Sequence, residues 1–236
     1  MIGRVRAPTL PGMELNGVIN LDKPPGASSA RLVDRVKRLL PRGTKIGHAG
    51  TLDPFATGVL LLLVGKATKS CETLMGERKG YDATVKLGAR TATDDPEAPE
   101  EPLDVPTIPT EQQVRDALAK QVGAIQQRPP AFSAMKVDGQ RAYKLARQGG
   151  QVEIKPRTVM VYSIDLLAYA WPTARIRVEC GRGTSIRAIA RDLGEALGTG
   201  GYLTELRRTF VGRFRAQEAV TLETLQADGV ERHLHP

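Results

Sequence analysis

Residues 47–60, Gly-His-Ala-Gly-Thr-Leu-Asp-Pro-Phe-Ala-Thr-Gly-Val-Leu, hold the densest set of chemistry-bearing positions in the chain. Glycines at 47, 50, 58 and 65 allow tight turns on either side of Asp53. One carboxylate therefore sits in a loop that runs straight into the apolar stretch 59–64. A side chain on a loop held by a rigid buried element is a common catalytic layout. The Asp53-Pro54 pair also fits a plain Asx turn, and the two readings stay open on these residues alone. The glycines do not form a Walker-type phosphate loop, because the Gly-Lys-Ser/Thr ending is missing. Cys71 and Cys180 stand far apart and outside any Cys-x-x-Cys pair, and His233 and His235 lie at the chain end, where fraying is expected. Neither a metal site nor a cofactor motif is expected.

The elements around this loop belong to a chain of 236 residues with a net charge of +8 and a pI near 9.7. Hydrophobic residues make up 41% and charged residues 25%, enough apolar surface to exclude disorder along the whole chain. The longest apolar run, 59–64, is far too short to cross a membrane. The N-terminus has basic residues with no apolar stretch behind them, so no signal peptide is legible and a cytoplasmic location is expected. A basic chain of this kind most often meets a polyanion; solubility alone is the other source of such charge. The charge is segregated. Residues 91–109 carry Asp94, Asp95, Glu97, Glu100, Glu101 and Asp104, several prolines, and no Lys or Arg. They read as an exposed acidic loop held away from whatever the basic surface binds. Arg31, Arg35, Lys37, Arg38, Arg42 and Lys45 form one basic stretch. A second is entirely arginine: 175, 177, 182, 187, 191, 207, 208 and 213. Arginine's planar fork suits phosphates and stacks on bases.

Residues 17–21 read as a strand, ended by Pro24 and Pro25. Ser28 or Ser29 caps a helix through Leu32, Val33, Val36, Leu39 and Leu40, stopped by Pro41. Residues 58–65 read as a buried strand and 81–87 as an alternating one. Thr110 and Gln113 form a capping box for a helix through Val122. Further helices are expected at 140–148, 184–197 and 202–208, with strands at 157–169, 174–180 and 211–214 closing the ordered part. Strands and helices mix without a β-α-β rhythm, so the expected class is α+β. One domain over 1–236 is expected, with 1–14 as a mobile tail.

Several blocks resemble the bacterial tRNA pseudouridine-55 synthases of the TruB type. Residues 50–58, Gly-Thr-Leu-Asp-Pro-Phe-Ala-Thr-Gly, look like that family's catalytic motif. Residues 17–24 resemble its opening strand, and Lys79-Gly80-Tyr81 its basic-x-tyrosine motif. Residues 129–136 with Gly139 and Tyr143 resemble a further block. Gly183-Thr184-Ser185-Ile186-Arg187, Asp192-Leu193-Gly194 and Leu206-Arg207-Arg208-Thr209 complete the order. The likeness runs from about Gly17 to Phe214.

The resemblance implies a catalytic domain with a central, mainly antiparallel sheet flanked by helices and loops. It implies isomerisation of uridine 55 in the T arm of tRNA to pseudouridine, without metal or cofactor. Asp53 would be the catalytic carboxylate, Arg187 its arginine partner and Tyr81 the ring that stacks on the target base. The base must be extruded from its stack to be reached, and His48 would occupy space near it. Lys23, Lys136, Leu206, Arg207 and Arg208 would contact the RNA. The expected partner is tRNA, with no membrane, and the protein acts as a monomer. Ser185 stands where the family usually has tyrosine, which removes a contact near the aspartate. Few residues follow Phe214, so a separate C-terminal RNA-binding domain of the PUA type, which most bacterial relatives carry, is not expected. A pseudouridine synthase for another RNA, or an RNA-binding or RNA-folding protein with weak or lost catalysis, is the alternative.

Overall fold

Strand β1 (Gly17–Lys23) follows from the run Val-Ile-Asn-Leu, and Pro24 and Pro25 end it by removing backbone donors. The structure is a computed structural model that describes residues 15–130, 136–137, 140–141 and 154–236. Ser28 caps helix α1 (Ser29–Lys37) by accepting from the Arg31 amide, and Leu32 and Val36 are buried on one face of it. Strands β2 (Ile46–Ala49) and β3 (Thr57–Val64) bracket the loop that carries Asp53. β1 and β2 both pair antiparallel with β3.

β3 is buried on both faces. Leu60, Leu62 and Val64 pack with Ile19, Leu21, Leu32 and Val36, while Val59, Leu61 and Leu63 pack with Val18 and Ala49. A strand covered on both sides has no polar alternate positions, which explains its unbroken apolar sequence. A helical turn at Gly65–Ser70 and helix α2 (Cys71–Gly76) follow. The chain forms two compact units, Met1–Gly76 with Phe210–Pro236, and Glu77–Thr209.

The second unit begins with β4 (Lys79–Leu87), in which buried Tyr81, Ala83, Val85 and Leu87 alternate with half-buried Asp82, Thr84 and Lys86. β5 (Ala89–Thr91) pairs antiparallel with β6 (Glu100–Pro102). The Thr110–Gln113 capping box starts helix α3 (Glu111–Ala119), which stops short of Val122 where strand β7 (Gly123–Gln127) begins. β8 (Lys136–Val137) pairs with β9 (Gln140–Arg141), so the helix expected over 140–148 does not start at Gln140. The rest of that helix, with Gly139 and Tyr143, lies outside the described residues. Long strands β10 (Arg157–Ala170) and β11 (Thr173–Cys180) lead to helix α4 (Ile186–Leu197) and strand β12 (Gly201–Val211). The strand order in this unit is β12, β4, β11, β10, β7, with β4–β11, β11–β10 and β10–β7 antiparallel. Helix α4 packs on β4 and on α3.

Two expectations are corrected. Residues 202–208 are strand, not helix. Tyr202, Leu203 and Leu206 have helical spacing, but β12 buries residues on both faces, which erases the alternation that marks a strand. Thr204, Thr209 and Val211, all β-branched, suit a pleated surface. Order also continues past Phe214. Strand β13 (Phe214–Arg215), helix α5 (Leu222–Asp228) and a final turn at Val230–His233 bury Leu222, Leu225 and Val230 in the core that holds Leu21 and Leu32. The terminal histidines are not frayed: the His235 amide donates to the Val18 carbonyl at 2.9 Å. The tail lacked a clear sequence signal because its apolar residues are few and widely spaced, and join a core built mainly by β1, α1 and β3.

Helix α4 ends with Gly198 in the left-handed conformation, and the amides of Thr199 and Gly200 return to the Gly194 carbonyl. A Cβ at Gly194 would lie 2.1 Å from the Gly200 carbonyl carbon. Backbone cannot swing aside as a side chain can. Gly194→Ala should therefore cost about 3 kcal/mol of stability, read as a lower urea midpoint. An unchanged midpoint would mean that this turn yields freely.

Candidate active site

Asp53 sits half-buried in the loop between β2 and β3, and three neighbours in its own unit fix that loop. The Ser29 hydroxyl donates to the Leu52 carbonyl and accepts from the Leu52 amide, both at 3.0 Å. The Gly26 amide donates to the Pro54 carbonyl at 2.8 Å. The Lys23 ammonium donates to the carbonyls of Pro24, Pro54 and Ala56 at 3.0, 2.9 and 2.6 Å. The loop closes on itself as the Ala56 amide donates to the Asp53 carbonyl. Lys23 is 0% exposed. Its ammonium is turned into the loop. A positive charge that also satisfies buried carbonyls both holds this loop and favours an anion near it. His48 lies in β2, half-buried, and its carbonyl accepts from the Cys71 thiol.

In the second unit, Tyr81 is buried in β4 opposite Val178. Lys79, two residues earlier, is also buried and donates to the Glu77 carbonyl. Burial, with Arg208 nearby, lowers the Lys79 ammonium to about 8. Arg187 is in the first turn of α4. Its Nη1 donates to Asp95 Oδ2 at 2.8 Å and to the Thr93 carbonyl at 3.0 Å. Both side chains of that pair are almost fully buried.

The acidic segment is thus not simply an exposed loop. Asp95 holds Arg187, and Asp94 holds Arg191 at 3.1 Å. Glu100 accepts from Lys86 and from the Tyr202 hydroxyl, and Glu101 accepts from Arg90. The arginines that hold Asp94 and Asp95 come from more than ninety positions away, so these partners were invisible to a local reading. The all-arginine stretch is corrected for the same reason. Arg177, Arg187 and Arg191 pair with Asp82, Asp95 and Asp94 inside the unit.

Arg208 is 1% exposed, Leu206 is buried and Arg207 is half-buried. Lys136 is described only as the first residue of β8. Ser185 is the N-cap of α4, its hydroxyl accepting from the Ala188 amide. Gln127 brackets it, accepting from the Ser185 amide and donating to its carbonyl. Sequence reasoning missed Ser29, Asp95 and Gln127 as site-building residues. Only Ser29 left a local trace, as one of two candidate caps. Among the described residues no group of His, Cys, Asp and Glu is placed to hold a metal ion, and no helix is long and apolar enough to cross a membrane.

The arrangement offers a carboxylate on a locked loop in one unit, and a buried ring and a carboxylate-paired guanidinium in the other. If Lys23 is the lock, Lys23→Met strands three carbonyls. Stability should fall by roughly 2–4 kcal/mol on that count, and the Ala56 amide should exchange with solvent faster. An unfolding midpoint equal to that of the native chain would show that the loop holds without the ammonium.

Residues 37–186 match the TruB family pseudouridylate synthase (N terminal domain), and residues 187–234 match the tRNA pseudouridylate synthase B C-terminal domain. A tRNA pseudouridine synthase B of Corynebacterium jeikeium is 47% identical over 224 residues, covering 90% of this chain and 72% of the relative. One from Aromatoleum aromaticum is 46% identical, covering 90% and 68%. In the crystal structure of a Cbf5-Nop10-Gar1 complex, one chain is similar with a TM-score of 0.68 and 33% identity. That match covers 92% of this chain but 57% of the other. The Asp53 loop, Tyr81 and Arg187 thus sit in a chain that belongs to the TruB family of pseudouridylate synthases.

Proposed function

We propose that this pseudouridine synthase acts on uridine 55 in the T arm of tRNA, with Asp53 as its catalytic carboxylate. The observation that carries the assignment of Asp53 is the fixing of its loop by Lys23, Ser29 and Gly26, since a plain surface turn needs no buried ammonium. The reaction breaks the bond between uracil N1 and ribose C1′ and joins C5 to C1′. N1 gains a proton and C5 loses one, so the product is an isomer and no redox partner enters. Asp53 as an anion acts on the ribose or the base. Tyr81 offers a planar face to the extruded base, and His48 fills space near it. Arg187, held by Asp95, is the guanidinium that serves as the arginine partner of the reaction. Arg207 and Lys136 contact the RNA backbone, whose charge and shape guide recognition of loop bases.

Tritium release from a T-arm transcript labelled at uridine C5 tests this reading. The native chain should release tritium, and Asp53→Asn should retain less than about a thousandth of the rate, while still binding the transcript. Release from the variant at the native rate, or modification mapped to another uridine, would overturn the assignment.

A further inference from the structure

Helix α4 presents two arginines one turn apart, and each grips a different carboxylate of the same loop. Arg187 Nη1 holds Asp95 Oδ2 at 2.8 Å and Arg191 Nη1 holds Asp94 Oδ2 at 3.1 Å. Neighbouring side chains of an extended segment point to opposite sides, so adjacent aspartates would not both meet one helix. Asp94 breaks that alternation with φ +58°, a left-handed conformation that aspartate tolerates better than most residues. Its carbonyl is tied as well, accepting from the Leu203 amide of β12 at 3.1 Å.

Arg191 does more than close one ion pair. Its Nη2 donates to the Arg128 carbonyl, just past the end of β7, at 2.8 Å and to Asp192 Oδ1 at 2.7 Å. One guanidinium thereby joins α4, the acidic segment and the exit of β7. We propose that Arg191 is a positioning residue: by holding Asp94 it sets the backbone from which Asp95 fixes Arg187. The proposal rests on the reading of Arg187 as part of the catalytic site.

The electrostatics agree with a pair kept ionised at a cost. Burial pushes the Asp94 carboxyl up to about 6, against the pull of Arg191 and Arg187. The charged groups around it are Arg187, Arg191 and Asp192 from α4 and Asp95 on its own segment, with Glu195 reaching Arg191 at 3.8 Å. A carboxyl raised in the folded state destabilises the fold once it ionises, so this charge lowers stability above pH 6. Retaining it there is what a positioning role requires and a purely structural role does not.

The test uses the full chain and a tRNA transcript tritiated at uridine C5, with Arg191→Gln, Arg191→Lys and Asp94→Asn. Loss of positioning should lower kcat by roughly tenfold to a hundredfold while KM stays within about twofold. Arg191→Lys should recover part of the rate, because an ammonium reaches Asp94 but cannot span all three partners. Asp94→Asn should melt no lower than the native chain at pH 7.5. It should also lack the fall in kcat that the native chain shows below about pH 6, where Asp94 protonates. Unchanged kcat, or activity and melting temperature falling together in all three variants, overturns the proposal. Nitrogen NMR of the Arg187 guanidinium reads the positioning without catalysis. Its signals should shift and exchange faster in Asp94→Asn; unchanged signals overturn the proposal. A native chain that releases no tritium removes the activity reading alone, and these signals still decide the positioning.

Discussion

An ammonium ion shut away from water must find an acceptor for every N–H, and Lys23 finds three backbone carbonyls. Two of them belong to the loop that carries Asp53, so the end of β1 and that loop move as one body. Ser29 adds the grip of α1 on the same loop through both polar atoms of the Leu52 peptide. The two faces of β3 supply the rigid floor below. A buried charge of this kind is a poor source of net stability, because desolvation offsets most of its attraction. What it confers is geometry: the carbonyls of Pro54 and Ala56 are held where the ammonium reaches them. The second unit repeats the device with opposite polarity, a buried carboxylate at Asp95 holding the guanidinium of Arg187.

Local signals in the sequence were read well where one residue decides the outcome. The proline stop after β1, the Ser28 cap, the capping box at Thr110 and the glycine end of α4 each lie where their chemistry places them. The Asp53 loop stood out because its glycines and its carboxylate are contiguous. Partners remote in the chain were illegible. Asp95 and Arg187 are 92 positions apart, and Thr84 and Glu205 are 121 apart. Nothing near any of these residues announces the other. Burial on two faces misled as well, since β12 lost the period that would have marked it as a strand.

The acidic segment shows how composition can mislead about placement. A run of carboxylates with prolines reads as solvated chain, and Glu101 does lie in the open. Yet Asp94 and Asp95, in the same segment, are drawn inward by two arginines of α4. Part of the basic stretch is thereby neutralised at close range; the net charge of +8 already counts these carboxylates, so pairing changes where the unpaired cations lie and not their excess. The field that reaches a partner is set by the cations left outside these pairs.

The outer edge of β1 is closed by two isolated backbone bridges, Val18 with His235 and Leu21 with Val220. An open strand edge is a template on which a second chain can add its own strand. The last twenty residues therefore occupy part of an edge on which another strand could add, as well as packing in the core. They also stand directly behind the strand that ends in Lys23. Changes near the C-terminus, far in sequence from Asp53, thus have a mechanical route to its loop through the edge of a single strand.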